Sequence, residues 1–223
     1  MFEPLEITIG NKGEGAANID HQYYATQHHN RYEVLKRIID FNPGIYGIVF
    51  ARTKVDTQEI AEKLTREGYD IDAIHGDLTQ QQRDKVMGLF RDKSIQLLIA
   101  TDVAARGIDV TGITHVINYE LPNVPETYIH RIGRTGRAGA SGISFSFCDA
   151  EETAELKDIH KLLGKPIPTD MNHPYHTTFT GISRRPAPVQ SPRGNYNSRN
   201  GNNNQPKRRF SNERPRAFGS RAQ

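Results

Sequence analysis

The sequence predicts an α/β domain of three layers, helices on both faces of a mostly parallel sheet, followed by a disordered basic tail. Three observations carry that expectation. Between about residues 18 and 163 short β-rich runs alternate with helical patterns, as in repeated βαβ units. Several runs are apolar almost throughout, as strands covered on both faces are. Hydrophobic residues make up only 35% of the chain and mean hydropathy is −0.67, low for a compact globule, because the last stretch contributes almost none.

The elements follow in order. A run at 22–25 is succeeded by His28-His29, a surface pair ahead of a helix, and then by a second run at 46–50. A helix over about 53–66 turns Ile60, Ala61 and Leu64 inward and stops at Gly68. After a run at 71–74, Thr79 with Gln82 three residues on forms a capping-box pattern leading into Val86, Leu89 and Phe90 at helical spacing. Runs at 96–100 and 115–118 precede a helix opening at Pro125, a residue suited to a first turn, with Tyr128, Ile129 and Ile132 inward. A run at 143–147 and a helix over about 151–163 complete the domain, and Pro166 and Pro168 end regular structure. In such a sheet ligands sit outside the carboxyl ends of the strands. The segments of interest are therefore 51–54, 75–78, 101–109 and 128–139.

Charge divides the chain. Residues 184–223 hold ten Lys/Arg against the single acid Glu213, and Val189, Tyr196, Phe210 and Phe218 are their only large apolar residues. Such a segment buries too little to fold. Without it the chain holds 19 basic and 25 acidic residues, so the domain must meet any nucleic acid through a local patch. The tail interleaves arginine, glycine and aromatics, as in Arg193-Gly194-Asn195-Tyr196 and Lys207-Arg208-Arg209-Phe210, a composition suited to RNA contact; the alternative is a solubilising linker.

The lone Cys148 excludes an internal disulfide and reads as a packed thiol, and no apolar run approaches the roughly 20 residues that cross a bilayer. Nine histidines without Cys or clustered acids at ligand spacing predict no zinc site. Residues 1–17, with Pro4, Gly10, Gly13 and Gly15, look like a linker and not a secretory leader, and the expected location is cytoplasmic. The expected organisation is thus a linker at 1–17, a domain at 18–168 and a flexible tail at 169–223, basic and rich in Asn, Arg and Gly from 184.

The densest chemistry lies in His130-Arg131-Ile132-Gly133-Arg134-Thr135-Gly136-Arg137, three arginines spaced by three with glycines between. Arginine forks grip phosphate bidentately and glycines let backbone approach a ligand. The alternative is a solvated basic loop. Next is Thr101-Asp102 through Gly107-Ile108-Asp109, beginning where a strand should end; there Asp109 suits a ribose hydroxyl better than acid–base work.

With His75-Gly76-Asp77 and Gln80-Gln81-Gln82-Arg83 added, these segments resemble, in order and at fitting separations, the QxxR motif and motifs V and VI of the DEAD-box ATP-dependent RNA helicases. The similarity runs from about residue 3 to 165. The resemblance implies a C-terminal RecA-like domain that binds ATP and RNA. Arg137 is similar to the family's arginine finger and Arg134 to its second phosphate-contacting arginine. Gly107 and Asp109 stand where the family holds the ATP ribose. His130 and Arg131 resemble residues that reach across the cleft to the acidic motif of the partner domain. Thr53, His75, Gly76, Gln80, Arg83 and Thr101 match positions on the RNA sugar-phosphate backbone.

No GxxxxGK[ST] loop, Asp-Glu-Ala-Asp or Ser-Ala-Thr occurs in the sequence. The resemblance therefore places the Mg²⁺ ligands and the attacking water in an N-terminal RecA-like domain of the same protein. A rival reading is a stand-alone RNA-binding or chaperone module built on a degenerate helicase lobe.

Overall fold

A computed structural model describes residues 18–179, all within one compact unit. Six strands, β1 (Ile19–Ala25), β2 (Gly47–Phe50), β3 (Ile71–Ile74), β4 (Leu97–Ala100), β5 (His115–Asn118) and β6 (Gly142–Cys148), form one sheet in the order β1-β6-β5-β2-β4-β3. Every pairing is parallel. Parallel neighbours require crossovers, and the helices α1 (Arg31–Phe41), α2 (Lys54–Arg66), α3 (Gln80–Arg91) and α5 (Pro125–Ile132) provide them, with a single turn, α4 (Asp102–Ala105), after β4; α6 (Thr153–Leu163) follows the last strand.

The helices divide between the two faces. Leu35, Ile38 and Ile39 of α1 and Ile60, Ala61 and Leu64 of α2 pack with Val49, Ile99, Ile117 and Phe147. Val86 and Phe90 of α3, Tyr128 and Ile132 of α5, and Leu156 and Ile159 of α6 pack with Ile48, Phe50, Leu98 and Val116 on the other. Successive residues of β2 thus serve opposite cores, which is why the strand is buried throughout and reads as an unbroken apolar run. This is the three-layer RecA-like architecture.

Close packing explains Gly47, which pairs with Leu97 on one side and His115 on the other. A Cβ there would stand 2.4 Å from the His115 carbonyl oxygen.

Three elements differ from the sequence expectation. β1 begins at Ile19, because Asp20 and His21 interrupt the apolar pattern of an edge strand only partly covered. α1 takes its full extent only from packing against Tyr24, Phe145 and Phe147, and a 3-10 turn at His28–Asn30 leads into it with both histidines exposed. The expected tail from 169 also does not start there. Tyr23 donates to the Pro168 carbonyl (2.9 Å), Asp170 to Tyr23 (3.2 Å) and Thr177 to Ala25 (3.0 Å), so residues 168–177 satisfy the outer edge of β1. Residues 1–17 and 184–223 lie outside the described part.

Candidate functional site

The rim at the carboxyl ends of the strands is assembled from caps and turns. Thr53 caps α2 and Thr101 caps α4, each hydroxyl accepting from a backbone N–H in the first turn, Asp56 at 3.1 Å and Ala104 at 3.4 Å. Thr79 and Gln82 close the predicted capping box on α3. Because β2, β4 and β3 are neighbours in the sheet, Thr53, Thr101 and His75-Gly76 come to adjoining strand ends. Arg83, on the first turn of α3, donates to the Ala104 carbonyl (3.3 Å) and ties that set to α4. Lys54 and Asp77 pair at 2.8 Å on the same exposed rim. Gln80 is exposed, with its amide on Asp84 (2.8 Å).

His75 departs from expectation. Its ring is buried, with Nε2 on Gln58 Oε1 (3.0 Å) and Nδ1 accepting from the Asp77 N–H (3.4 Å). Both nitrogens are engaged in shaping the β3 turn, so the imidazole is not offered to a ligand. Gly76 beside it is exposed.

The second set lies on the loop after α4 and on the segment leaving α5. Gly107 has φ +76, a conformation that favours glycine. Asp109 follows, with 88% of its side chain exposed. Arg134 donates to the Ile108 carbonyl (3.0 Å), and Arg137 pairs with Asp109 (2.8 Å) while its Nε bonds the Gly133 carbonyl (3.0 Å). Burial, then the charge of Arg137, lowers the pKa of Arg134 below the ordinary guanidinium value. Thr135 anchors this segment through the Ile113 carbonyl (2.6 Å), and Gly142 allows the approach, since a Cβ there would meet Thr135 Oγ1 at 2.5 Å.

Arg131 is the larger correction. It was expected to reach across the cleft, yet it is only 3% exposed. Its guanidinium forks Asp102 (2.7 and 2.8 Å), bonds Asn118 Oδ1 (3.1 Å) and the Glu120 carbonyl (2.8 Å), and lies 5.1 Å over the Phe50 ring. Such a guanidinium positions strand ends, and it meets the cleft as part of its wall, already engaged by these partners. His130, Arg131 and Arg134 line a cleft of about 370 Å³ with Phe50, Asp102, Arg106 and Thr127. Of the octet, His130, Arg134 and Arg137 face outward.

The sequence reading missed the residues that hold this rim. Arg31, 1% exposed, pairs with Asp149 (2.8 Å) and closely with Glu152; Arg52 bonds Glu152 (2.9 Å) and, through its backbone N–H, Glu120 (2.9 Å). Burial pushes the Glu152 carboxyl up to about 7, against the pull of Arg31. Arg52 and Glu120 come soon after apolar runs, in the positions where ligand-contacting residues are sought, and that placement was the signal.

Residues 30–139 match the helicase conserved C-terminal domain family. The chain is 45% identical over 161 residues to the DEAD-box ATP-dependent RNA helicase CshA of Bacillus cereus, covering 72% of this chain and 31% of that protein. Among solved structures it resembles a DEAD box protein from the hyperthermophile Methanococcus jannaschii, with TM-score 0.65 and 47% identity over 69% of this chain and 42% of that one. S. cerevisiae Dbp5 bound to RNA and ADP BeF3 is similar with TM-score 0.65 and 34% identity, over 69% of this chain and 41% of that chain. Fold and motifs therefore define the C-terminal lobe of a helicase. The chain belongs to the DEAD-box RNA helicases, and it spans about a third of the length of the curated relatives it matches.

Proposed function

We propose that this chain is the C-terminal lobe of an ATP-dependent RNA helicase that closes with an N-terminal RecA-like domain over ATP and one RNA strand. The observation that carries the reading is the placement of both residue sets on one rim. Arg134, Arg137, Gly107 and Asp109 gather at the α4–α5 side, and Thr53, Thr101, Gly76, Gln80 and Arg83 at the adjoining strand ends. The likeness to Dbp5, whose structure holds RNA and ADP BeF3, supports it.

In this reading Gly107 and Asp109 hold the ribose while Arg134 and Arg137 take phosphate oxygens. Arg137 leaves Asp109 to do so, exchanging one exposed ion pair for a charge-assisted fork on phosphate. His130 faces the N-terminal domain. The second set grips sugar and phosphate, so recognition is independent of base sequence, and closure on one bent strand destabilises a duplex. Among the described residues no group of three His, Cys, Asp or Glu side chains could hold a metal ion, so we assign the Mg²⁺ ligands and the attacking water to the N-terminal domain. Residues 1–17 act as the interdomain linker, and the tail from 184 adds RNA contact. No described helix is long and apolar enough to cross a membrane, and we place the enzyme in the cytoplasm.

A direct test is RNA-stimulated ATP hydrolysis and duplex unwinding by this chain alone and by the chain fused behind an N-terminal RecA-like domain of a DEAD-box relative. The chain alone should be inactive, because its sequence carries neither the GxxxxGK[ST] loop nor the Asp-Glu-Ala-Asp that hold phosphates, metal and water in phosphoryl transfer. The fusion should turn over ATP in response to RNA. An inactive fusion that still binds ATP and RNA would favour the stand-alone RNA-binding module.

A further inference from the structure

Glu120 stands where the two residue sets meet. It is 5% exposed, an uncommon setting for a carboxylate unless it is held by partners. Its Oε2 accepts from the Arg52 backbone N–H (2.9 Å), and its own carbonyl accepts from Arg131 Nη1 (2.8 Å). The contacts continue outward on both sides. Arg52 precedes Thr53, the cap of α2, and its guanidinium reaches the Leu121 carbonyl (3.3 Å) and Glu152 (2.9 Å). Arg131 forks Asp102, which follows Thr101, the cap of α4. Arg31 lies 4.0 Å from Glu120 Oε1 and joins Glu152 and Asp149 behind it.

We propose that Glu120 is a positioning residue that holds the two contact faces in register, its carboxylate fixing the β2 loop that carries Thr53 and its carbonyl fixing Arg131 on α5. Stability gives little reason for a carboxylate here, since buried ionic groups exchanged for well-packed apolar ones are often neutral or better. The geometry does give one. The Arg52 N–H lies just past the β4 ladder, where the Ala51 N–H still bonds the Ala100 carbonyl (3.0 Å), and Glu120 Oε2 is the protein acceptor it would lose. The loop would then pivot after Ala51, moving Thr53 relative to Thr101 and the arginines of the α5 segment. This rests on the reading of Thr53 as an RNA contact.

The test uses the full chain carrying Glu120→Gln, Glu120→Ala, the volume-matched Glu120→Met, or Thr53→Ala. Amide exchange at Arg52 is followed by NMR, and affinity for single-stranded poly-uridine by fluorescence anisotropy. In Glu120→Ala and Glu120→Met the Arg52 amide should exchange about tenfold faster or more, the scale of a lost hydrogen bond to a charged group. Glu120→Gln retains an acceptor oxygen and should keep the protection. The Arg131 Nε–H resonance, held by Asp102, should stay dispersed in every variant and show that α5 remains docked. RNA affinity should fall in Glu120→Ala and Glu120→Met as far as in Thr53→Ala, about fivefold for one hydrogen bond, and be restored in Glu120→Gln. Unchanged Arg52 exchange in both the Ala and Met variants overturns the brace. Should Thr53→Ala weaken binding while Glu120→Met does not, the positioning role is overturned. If Thr53→Ala has no effect, the RNA reading of that loop fails, and the Arg52 amide alone decides whether the brace exists.

Discussion

Three arginines spaced by three residues end in different environments. Arg131 is within the last turn of α5 and turns inward onto Asp102, whereas Arg134 and Arg137 follow Gly133, where the helix has ended and the chain turns outward. The last two are the more exposed, whereas most donors of Arg131 are already engaged. Arg137 in particular is held by an exposed partner, and exposed pairs contribute on the order of 1 kcal/mol or less. Arg137→Ala should therefore leave thermal stability nearly unchanged. In the complete enzyme it should lower kcat by on the order of 10³-fold, the scale of an arginine finger. Steady-state ATPase with saturating RNA, beside a melting curve, measures both; normal turnover in a well-folded variant removes the finger assignment.

At the scale of elements, local chemistry and packing share the decisions. α3 was legible because its capping box is written in Thr79 and Gln82, and α5 because Pro125 opens it. α4 has no counterpart in the sequence pattern, since four residues carry no periodicity and the turn is held by the Thr101 cap and the Arg83 and Arg131 contacts. β1 was shortened because an edge strand mixes polar and apolar residues. Gly47 shows the reverse dependence, a residue that looks ordinary in sequence and is fixed by its neighbour strand. Gly47→Ala should destabilise the domain by about 1–3 kcal/mol, lowering Tm by several degrees, as overpacking does. Gly44→Ala, where a Cβ meets nothing within 4 Å, is the control and should be neutral. Equal melting temperatures for the two variants would contradict the close β2–β5 approach.

For the whole molecule, the separation of charge is the feature with the clearest functional consequence. Ten cations after residue 183 stand apart from a domain with an acidic excess. Each phosphate neutralised on a single strand steepens the dependence of log K on log salt by about 0.7. Removing 184–223 should therefore weaken binding to single-stranded RNA and flatten that slope, while circular dichroism of the domain stays the same. Identical affinity and slope with and without those residues would leave the tail as a linker.

What the sequence by itself determined is the class of fold and the family. Alternating apolar runs and capped helices imply a buried parallel sheet, and the octet with its companion segments is specific enough to name the DEAD-box helicases. Those signals are local, and short-range periodicity and turn chemistry carry them. Only the tertiary structure decided which charged groups face the cleft. Arg131 and Asp102, or Arg52 and Glu120, are far apart in the chain and meet because parallel strands bring their carboxyl ends together. A buried charge requires partners, and which partners it finds depends on strand order, β6-β5-β2-β4 across this rim, which no local pattern encodes. Packing likewise buries His75 beside Gln58 of α2 and leaves Asp109 exposed, separating residues that form the rim from those that can touch a ligand.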